Sequence, residues 1–323
     1  MLVQHASRIP EDRIATGDGY RIFNGDCVVN MVADLGPDSV GLCVTSPPFA
    51  DLFSYSHKPE DVGNNPAGVD IRGSRFGLNF RFWAGQLVEV LEPGAVAALH
   101  IQQLIATKVQ HGFMGRRDFR AAVIDVMVAA GFDWTGEVAI PKDPQIVAHR
   151  MQLHSLQFKT GKERDARALA PAANDCLMLF RKPGKSAEPV RCLHDPDANP
   201  GGWVSQEEWI RWARGVWDDI RETDVLPRWR DARQSEREKH VCPLQLEPIR
   251  RCVRLYSNPG SLVLDPFSGI GSTGWVAIEQ GRTYAGFELK DSYWSQSVEN
   301  LDEAVRRQAT RNAPLPLFAG LVP

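Results

Sequence analysis

The chain has 323 residues, 43% of them hydrophobic and 24% charged, with a formal net charge of −3. That is enough to bury one large α/β core beside a smaller module, and it excludes a generally basic protein, so a polyanion could be held only by local clusters of Lys and Arg. The six cysteines (Cys27, Cys43, Cys176, Cys192, Cys242, Cys252) form no CxxC pair and no Cys/His ligand spacing, and without an apolar leader or an apolar run of about 18 residues the expectation is a soluble cytoplasmic protein with reduced thiols and no metal.

In chain order, "YRIFNGDC" predicts a short strand from Tyr20 that ends in an Asn-Gly-Asp turn, and "SVGLCVTSPPF" a buried strand over 40–44. The segment 79–91 places Phe82, Trp83, Leu87, Val90 and Leu91 at helical spacing, with Pro93-Gly94 as its stop. "AVAALHI" follows as a buried strand, and "DFRAAVIDVMVAAGF" as a helix whose stripe is Phe119, Val123, Val126, Met127 and Ala130, closed by Gly131. Alternating strands and helices predict a mostly parallel sheet.

Over 141–239 that rhythm dissolves into a basic stretch, one plausible strand in "DCLMLFRK", a loop rich in Pro and five of the nine tryptophans. This span reads as a separate module inserted between 1–140 and 240–310. The α/β rhythm then resumes with the helix "PLQLEPIRRCVRLYS", the strand "SLVLD", a glycine turn, a helix, the strand "TYAGFEL" and a last helix, before a loose tail over 311–323.

Two turns carry chemistry. In "LVLDPFSGIGSTG", Gly269, Gly271 and Gly274 satisfy G-x-G-x-x-G directly after a strand, where backbone must pass close to a ligand and helix amides offer donors. Glu288, at the end of the next strand, is placed to accept from ribose hydroxyls. A tight strand-to-helix turn without ligand would use the same glycines. Asp265 and Pro266, however, separate the strand from the first glycine, and no Lys follows to make a phosphate loop. An acid at the strand tip repels pyrophosphate and welcomes a cation, which describes S-adenosylmethionine.

The second turn is "TSPPF" at 45–49. The lone pair of an exocyclic amino group is delocalised into its base, so an enzyme that methylates it should accept hydrogen bonds from both N–H groups and favour a tetrahedral nitrogen. Ser46 Oγ and the Pro47 carbonyl are suitable acceptors, Pro47 and Pro48 fix that carbonyl's direction, and Phe49 can stack on an extruded base. The plain alternative is a rigid strand exit with Ser46 as an ordinary turn residue. Cys242 precedes Pro243, the reverse of the Pro-Cys order of cytosine-C5 enzymes.

With "TSPPF" first, the inserted module second and "DPFSGIGST" last, the chain resembles the β group of DNA amino-methyltransferases, which modify adenine N6 or cytosine N4. The likeness covers roughly residues 20–140 and 240–305. It implies a Rossmann-like S-adenosylmethionine-dependent sheet with an inserted target-recognition module. Thr45, Asp265, Phe267, Ser268, Gly269, Gly271, Ser272 and Thr273 would then line the cofactor site. Glu288 would hold the ribose and Asp26 approach the adenine amino group, unless Asp26 is simply a helix cap. A homodimer is implied as well.

Double-stranded DNA would be the partner, held by Lys58, Arg72, Arg75 and Arg81 after the diproline turn and by Arg150, Lys159 and Lys162 in the basic stretch, unless these are solvated surface. Trp203, Trp209, Trp212, Trp217 and Trp229 read as a small core of the module, with Trp209 and Trp212 on one helix face. Ser46 heads its tetrad as in many cytosine-N4 enzymes. The longer run "SPPFADLFSYSHKPEDVGN" resembles solitary phage and prophage methyltransferases, some of them adenine-specific, and tips the expectation to adenine N6. An RNA or protein amino-methyltransferase and a nicotinamide-dependent oxidoreductase are the rival classes.

Overall fold

In the computed structural model, residues 8–50, 58, 60–65, 67–145, 165, 167, 170–227 and 243–312 are described. Their largest element is an eight-stranded sheet. Its strands are β1 (Ile14–Gly17), β2 (Tyr20–Phe23), β3 (Val40–Thr45), β4 (Leu91–Gln102), β7 (Asp133–Ile140), β8 (Asp175–Arg181), β9 (Leu262–Asp265) and β10 (Thr283–Phe287). A separate two-stranded sheet joins β5 (Leu104–Ala106) to β6 (Gly115–Arg117).

The order across the large sheet is β1-β2-β10-β9-β3-β4-β8-β7. The run from β2 to β4 is parallel, while β1, β8 and β7 each pair antiparallel with their neighbours. The buried parallel strands are short apolar runs because helices cover both of their faces.

One face is covered by α1 (Cys27–Leu35), α2 (Arg75–Val90) and α4 (Phe119–Ala129), whose Met31, Trp83, Leu87 and Val123 meet Cys43, Leu99 and Leu264 of the sheet. The short helix α3 (Lys108–His111) lies between β5 and β6 in the chain. On the other face lie α6 (Leu246–Tyr256), α7 (Ser272–Glu279) and α8 (Asp291–Asn312), with Ile249, Val276 and Leu301 packed over Leu42, Val44 and Val263. Among the described residues no helix is long and apolar enough to cross a membrane.

Three expectations need correction. The second helix starts at Arg75, where the Ser74 hydroxyl accepts from Gly77 N at 3.1 Å, and ends at Val90. Pro93-Gly94 therefore do not stop it but lie inside β4, where the pairing with β3 slips between Leu91 and Val96. Phe82 is exposed, since Phe76, Phe80 and Trp83 fill the buried face.

The strand expected within the inserted span is β8, which is hydrogen-bonded between β4 and β7 and so belongs to the large sheet. Nor do the tryptophans make a core of their own. Trp212 and Trp217 are buried in the same cluster as Leu177 of β8 and Cys252 of α6, with the Arg251 guanidinium 4.9 Å from the Trp217 ring centre. Trp209, three residues before Trp212 on α5 (Gln206–Trp212), is exposed, so the pair does not share a buried face. Trp229 lies outside the described residues.

Candidate active site

Strands β9 and β3 are neighbours, yet the chain leaves β9 toward β10 on one side and β3 toward β4 on the other. The crevice at their carboxyl ends is the switch point at which open α/β sheets bind ligands. Register brings the two sequence motifs together there, because Cys43 pairs with Leu264 and the next positions turn Thr45 toward Asp265. The Thr45 hydroxyl donates to Asp265 Oδ1 at 2.6 Å, across 220 residues of sequence.

Asp265 organises the turn beyond it. It accepts from Phe267 N at 3.1 Å and lies beside the Thr273 hydroxyl, which donates to the Val44 carbonyl at 3.2 Å. Burial pushes its carboxyl up to about 6, although its polar contacts with Thr45, Thr273 and Phe267 N pull it down. Gly269 (φ 54°) and Gly271 (φ 90°) hold left-handed conformations that side chains disfavour. Gly274 has a different reason to be glycine: a Cβ there would meet Leu301 at 2.5 Å and Tyr284 at 2.6 Å. The Ser268 hydroxyl accepts from the buried Tyr284 hydroxyl at 2.8 Å, and Ser272 is buried in the first turn of α7. Phe267 is half-buried with its ring centre 5.5 Å from that of Trp83.

Two further acids close the crevice. Glu288 follows β10 and accepts from Gly269 N at 2.9 Å and Lys290 N at 2.8 Å. Burial nevertheless pushes its carboxyl up to about 8, with the Asp265 charge adding to the rise. Asp26 follows β2 and caps α1 by accepting from Val28 N at 2.8 Å, so the helix-cap alternative is realised. Burial raises its carboxyl as well. Asp26, Glu288 and Asp265 thus stand at the carboxyl ends of three adjacent parallel strands, and burial, together with these nearby acids, pushes the Cys27 thiol up.

The diproline turn forms the opposite wall. Pro47 and Pro48 are buried, while Ser46 and Phe49 are partly open. Ala50 N donates to the Pro48 carbonyl at 3.0 Å, and Ala50 itself has a φ of 50°. The Phe49 ring lies 6.2 Å from His100 and 6.3 Å from Phe119 between centroids.

Sequence reasoning missed the neighbours of Ser46. Because Thr45 pairs with Leu99, Ser46 falls beside His100 at the end of β4, with its Oγ 3.2 Å from Nδ1 and 3.3 Å from the His100 carbonyl. His100 Nε2 lies 2.8 Å from Asp175 Oδ2 at the start of β8, and Lys142 Nζ reaches the same oxygen at 2.8 Å. The one signal available was a histidine ending an otherwise apolar strand.

Of the basic residues, Lys58 donates to the Leu289 carbonyl at 2.7 Å and pairs with Asp291 at 3.3 Å. Arg72 pairs with Asp125, Arg81 donates to the Arg72 carbonyl at 2.9 Å, and Arg75 opens α2 in an exposed position. Arg150, Lys159 and Lys162 lie outside the described residues.

A family model for DNA methylases matches residues 40–299, spanning both turns. Type II methyltransferase M.MjaI of Methanocaldococcus jannaschii is 32% identical over 291 residues, covering 84% of this chain and 88% of that protein. DNA adenine methyltransferase YhdJ of Escherichia coli is 39% identical over 70 residues, a match that spans 22% of this chain and only 24% of YhdJ. In fold, the chain is similar to TTHA0409 of Thermus thermophilus, crystallised with S-adenosyl-L-methionine, at a TM-score of 0.61 and 21% identity over 88% of this chain and 95% of that one. The chain belongs to the DNA methylase family and is a DNA amino-methyltransferase of the group that modifies adenine N6 or cytosine N4.

Proposed function

We propose that this protein transfers the methyl group of S-adenosylmethionine to the exocyclic amino group of a base extruded from duplex DNA, with adenine N6 as the acceptor. The observation that carries the reading is the Thr45–Asp265 hydrogen bond, which brings the residue next to Ser46 to the acid next to the glycine turn. When bound, the cofactor supplies an electrophilic methyl group on a positively charged sulfur. Three carboxyl groups beside two glycines in left-handed conformation fit such a ligand: acids for its hydroxyls, amine and charge, and open backbone for its body.

On this reading Asp265, Phe267, Ser268, Gly269, Gly271, Ser272 and Thr273 hold the methionine part, Glu288 the ribose, and the free oxygen of Asp26 the adenine amino group. Thr45 positions Asp265. Ser46 Oγ and the Pro47 carbonyl accept from the target amino group, and Phe49 stacks on its base. Target recognition falls to the part of 141–239 outside β8, and Arg75 and Arg81 at the start of α2 are the basic side chains assigned to DNA. The YhdJ match supports adenine, whereas Ser46 at the head of the tetrad favours cytosine N4 as the second reading. Expression in a methylation-deficient host, followed by sequencing that detects modified bases, tests the reading. N6-methyladenine at one sequence is expected; N4-methylcytosine would establish the second reading, and unmodified DNA would refute both.

Glu288 makes cofactor binding depend on pH. Burial pushes its carboxyl up to about 8, so in the free protein at pH 7 it is mostly protonated. Ribose hydroxyls donate best to the ionised form, so binding expels a proton, and affinity should rise with pH and level off above about 8. The limiting slope for one proton is about tenfold per pH unit. Calorimetry at pH 7 in two buffers of different ionisation heat should show proton release, and E288Q should lose most of it.

A further inference from the structure

We infer that His100 is a positioning residue for Ser46 and the acceptor of the proton released by methyl transfer, held in its working tautomer by Asp175. The inference rests on the reading of Ser46 as an acceptor for the target amino group. Ser46, His100, Asp175 and Lys142 come from the ends of four segments that only the folded sheet brings into line. His100 and Asp175 are 7% and 6% exposed, and the Lys142 side chain is 9% exposed.

Asp175 settles the tautomer. Burial pushes its carboxyl up, but the Lys142 ammonium 2.8 Å from Oδ2 and the hydrogen bond from the His100 ring beside it hold it below the usual carboxylate range. An ionised carboxylate can only accept, so His100 Nε2 carries the proton and Nδ1 is left as an acceptor facing Ser46. Among the described residues the Ser46 hydroxyl has two neighbours within reach, Nδ1 and the His100 carbonyl, and both belong to His100. Whichever takes the hydroxyl proton, that proton points into β4. The oxygen lone pairs then face the crevice, as a group accepting from an N–H requires. Without His100 the hydroxyl could turn its proton toward the incoming amino group and oppose it.

The same contact gives the proton a route. The amino nitrogen's lone pair forms the bond to the methyl carbon while the carbon–sulfur bond breaks, its electrons passing to sulfur. The methylated nitrogen then carries a positive charge and one surplus proton. Ser46 Oγ accepts that proton as its own moves to His100 Nδ1, and the resulting imidazolium faces Asp175 before losing a proton to solvent. Ser46 ends unchanged. Among the described residues Asp175 and Lys142 are the charged groups that face the His100 ring. The Arg120–Glu137 ion pair belongs to α4 and β7, with Arg120 on the helix covering the other face of the sheet.

The test is single-turnover transfer of labelled methyl from saturating S-adenosylmethionine to unmethylated genomic DNA by the protein, followed across about pH 5.5 to 8.5. The wild type is expected to show a rate that climbs with pH. In H100N the amide oxygen can still accept a hydrogen bond from the Ser46 hydroxyl but cannot take up its proton. The rate should fall by ~10²-fold and lose its pH limb, with cofactor affinity unchanged. D175N should behave similarly, because an amide no longer selects the tautomer. A wild-type rate independent of pH overturns the inference even if the variants fail to fold, as does an H100N protein with the normal rate and limb. If S46A is inactive and H100N normal, only the His100 inference fails; if S46A itself turns over normally, the reading of Ser46 beneath it fails.

Discussion

Replacing Ser46 with alanine is expected to lower single-turnover methyl transfer by ~10²–10³-fold, the usual effect of removing one preorganised group aimed at charge that develops in the transition state. Cofactor affinity should barely change. Ser46 sits on the β3 side of the crevice and its hydroxyl contacts among the described residues are to His100, whereas the carboxyl groups assigned to the cofactor stand at the carboxyl ends of β2, β9 and β10. The substitution removes one oxygen from a partly open position and leaves the buried prolines in place, so the fold should persist. Labelled-methyl transfer measured beside calorimetric cofactor binding separates the two effects. A parallel fall in both would place Ser46 in the cofactor site instead. Phe49→Ala is a poorer probe, because its ring also packs near Phe119 and His100, and truncation would disturb the wall as well as any stacking on a base.

The difference between these two residues mirrors what could be read before the fold was known. The parallel strands were legible because each is a short apolar run bounded by turn residues, and the glycine turn because its conformations are ones that only glycine adopts freely. The joining of 45–49 to 265–274 was legible only as chemistry: each motif needed the other to make sense. Strand order was less accessible. Nothing local in "DCLMLFRK" says that it returns to pair with β4 and β7, since that pairing depends on contacts about 40 to 80 residues away in sequence.

The buried relay was harder still. His100, Lys142 and Asp175 share no spacing, and each is unremarkable in its own segment. Their meeting follows from register: Thr45 opposite Leu99, Gln102 opposite Asp175, and Asp175 opposite Ile140 just before Lys142. The tryptophans misled for a related reason. Aromatic residues in an irregular stretch suggest a local core, but Trp212 and Trp217 bury themselves against α6 and the large sheet, where an apolar face was already waiting. Pro93-Gly94 misled because a helix stop and a bulge in a strand use the same residues, and only the pairing with β3 distinguishes them.

Asp265→Ala should have the broadest consequence, abolishing measurable cofactor binding and destabilising the fold together. Alanine leaves the Thr45 hydroxyl and the Phe267 N–H without their acceptor in a buried site. Part of that loss is returned, because a carboxyl pushed up to about 6 is itself costly to ionise there. The net cost should be about 2–3 kcal/mol, near the penalty for one unsatisfied buried donor. Asp265→Asn separates the roles. Its amide oxygen can still accept from Thr45 and Phe267 N, and its NH2 can donate to Thr273, whose hydroxyl donates to the Val44 carbonyl. The midpoint of denaturant unfolding should therefore return close to wild type in D265N, while cofactor affinity stays low for want of the negative charge that draws a sulfonium and its ammonium. If D265N bound the cofactor as tightly as the wild type, the charge at the tip of β9 would have no part in selecting a cationic ligand, and Asp265 would be only the clasp that joins β9 to β3.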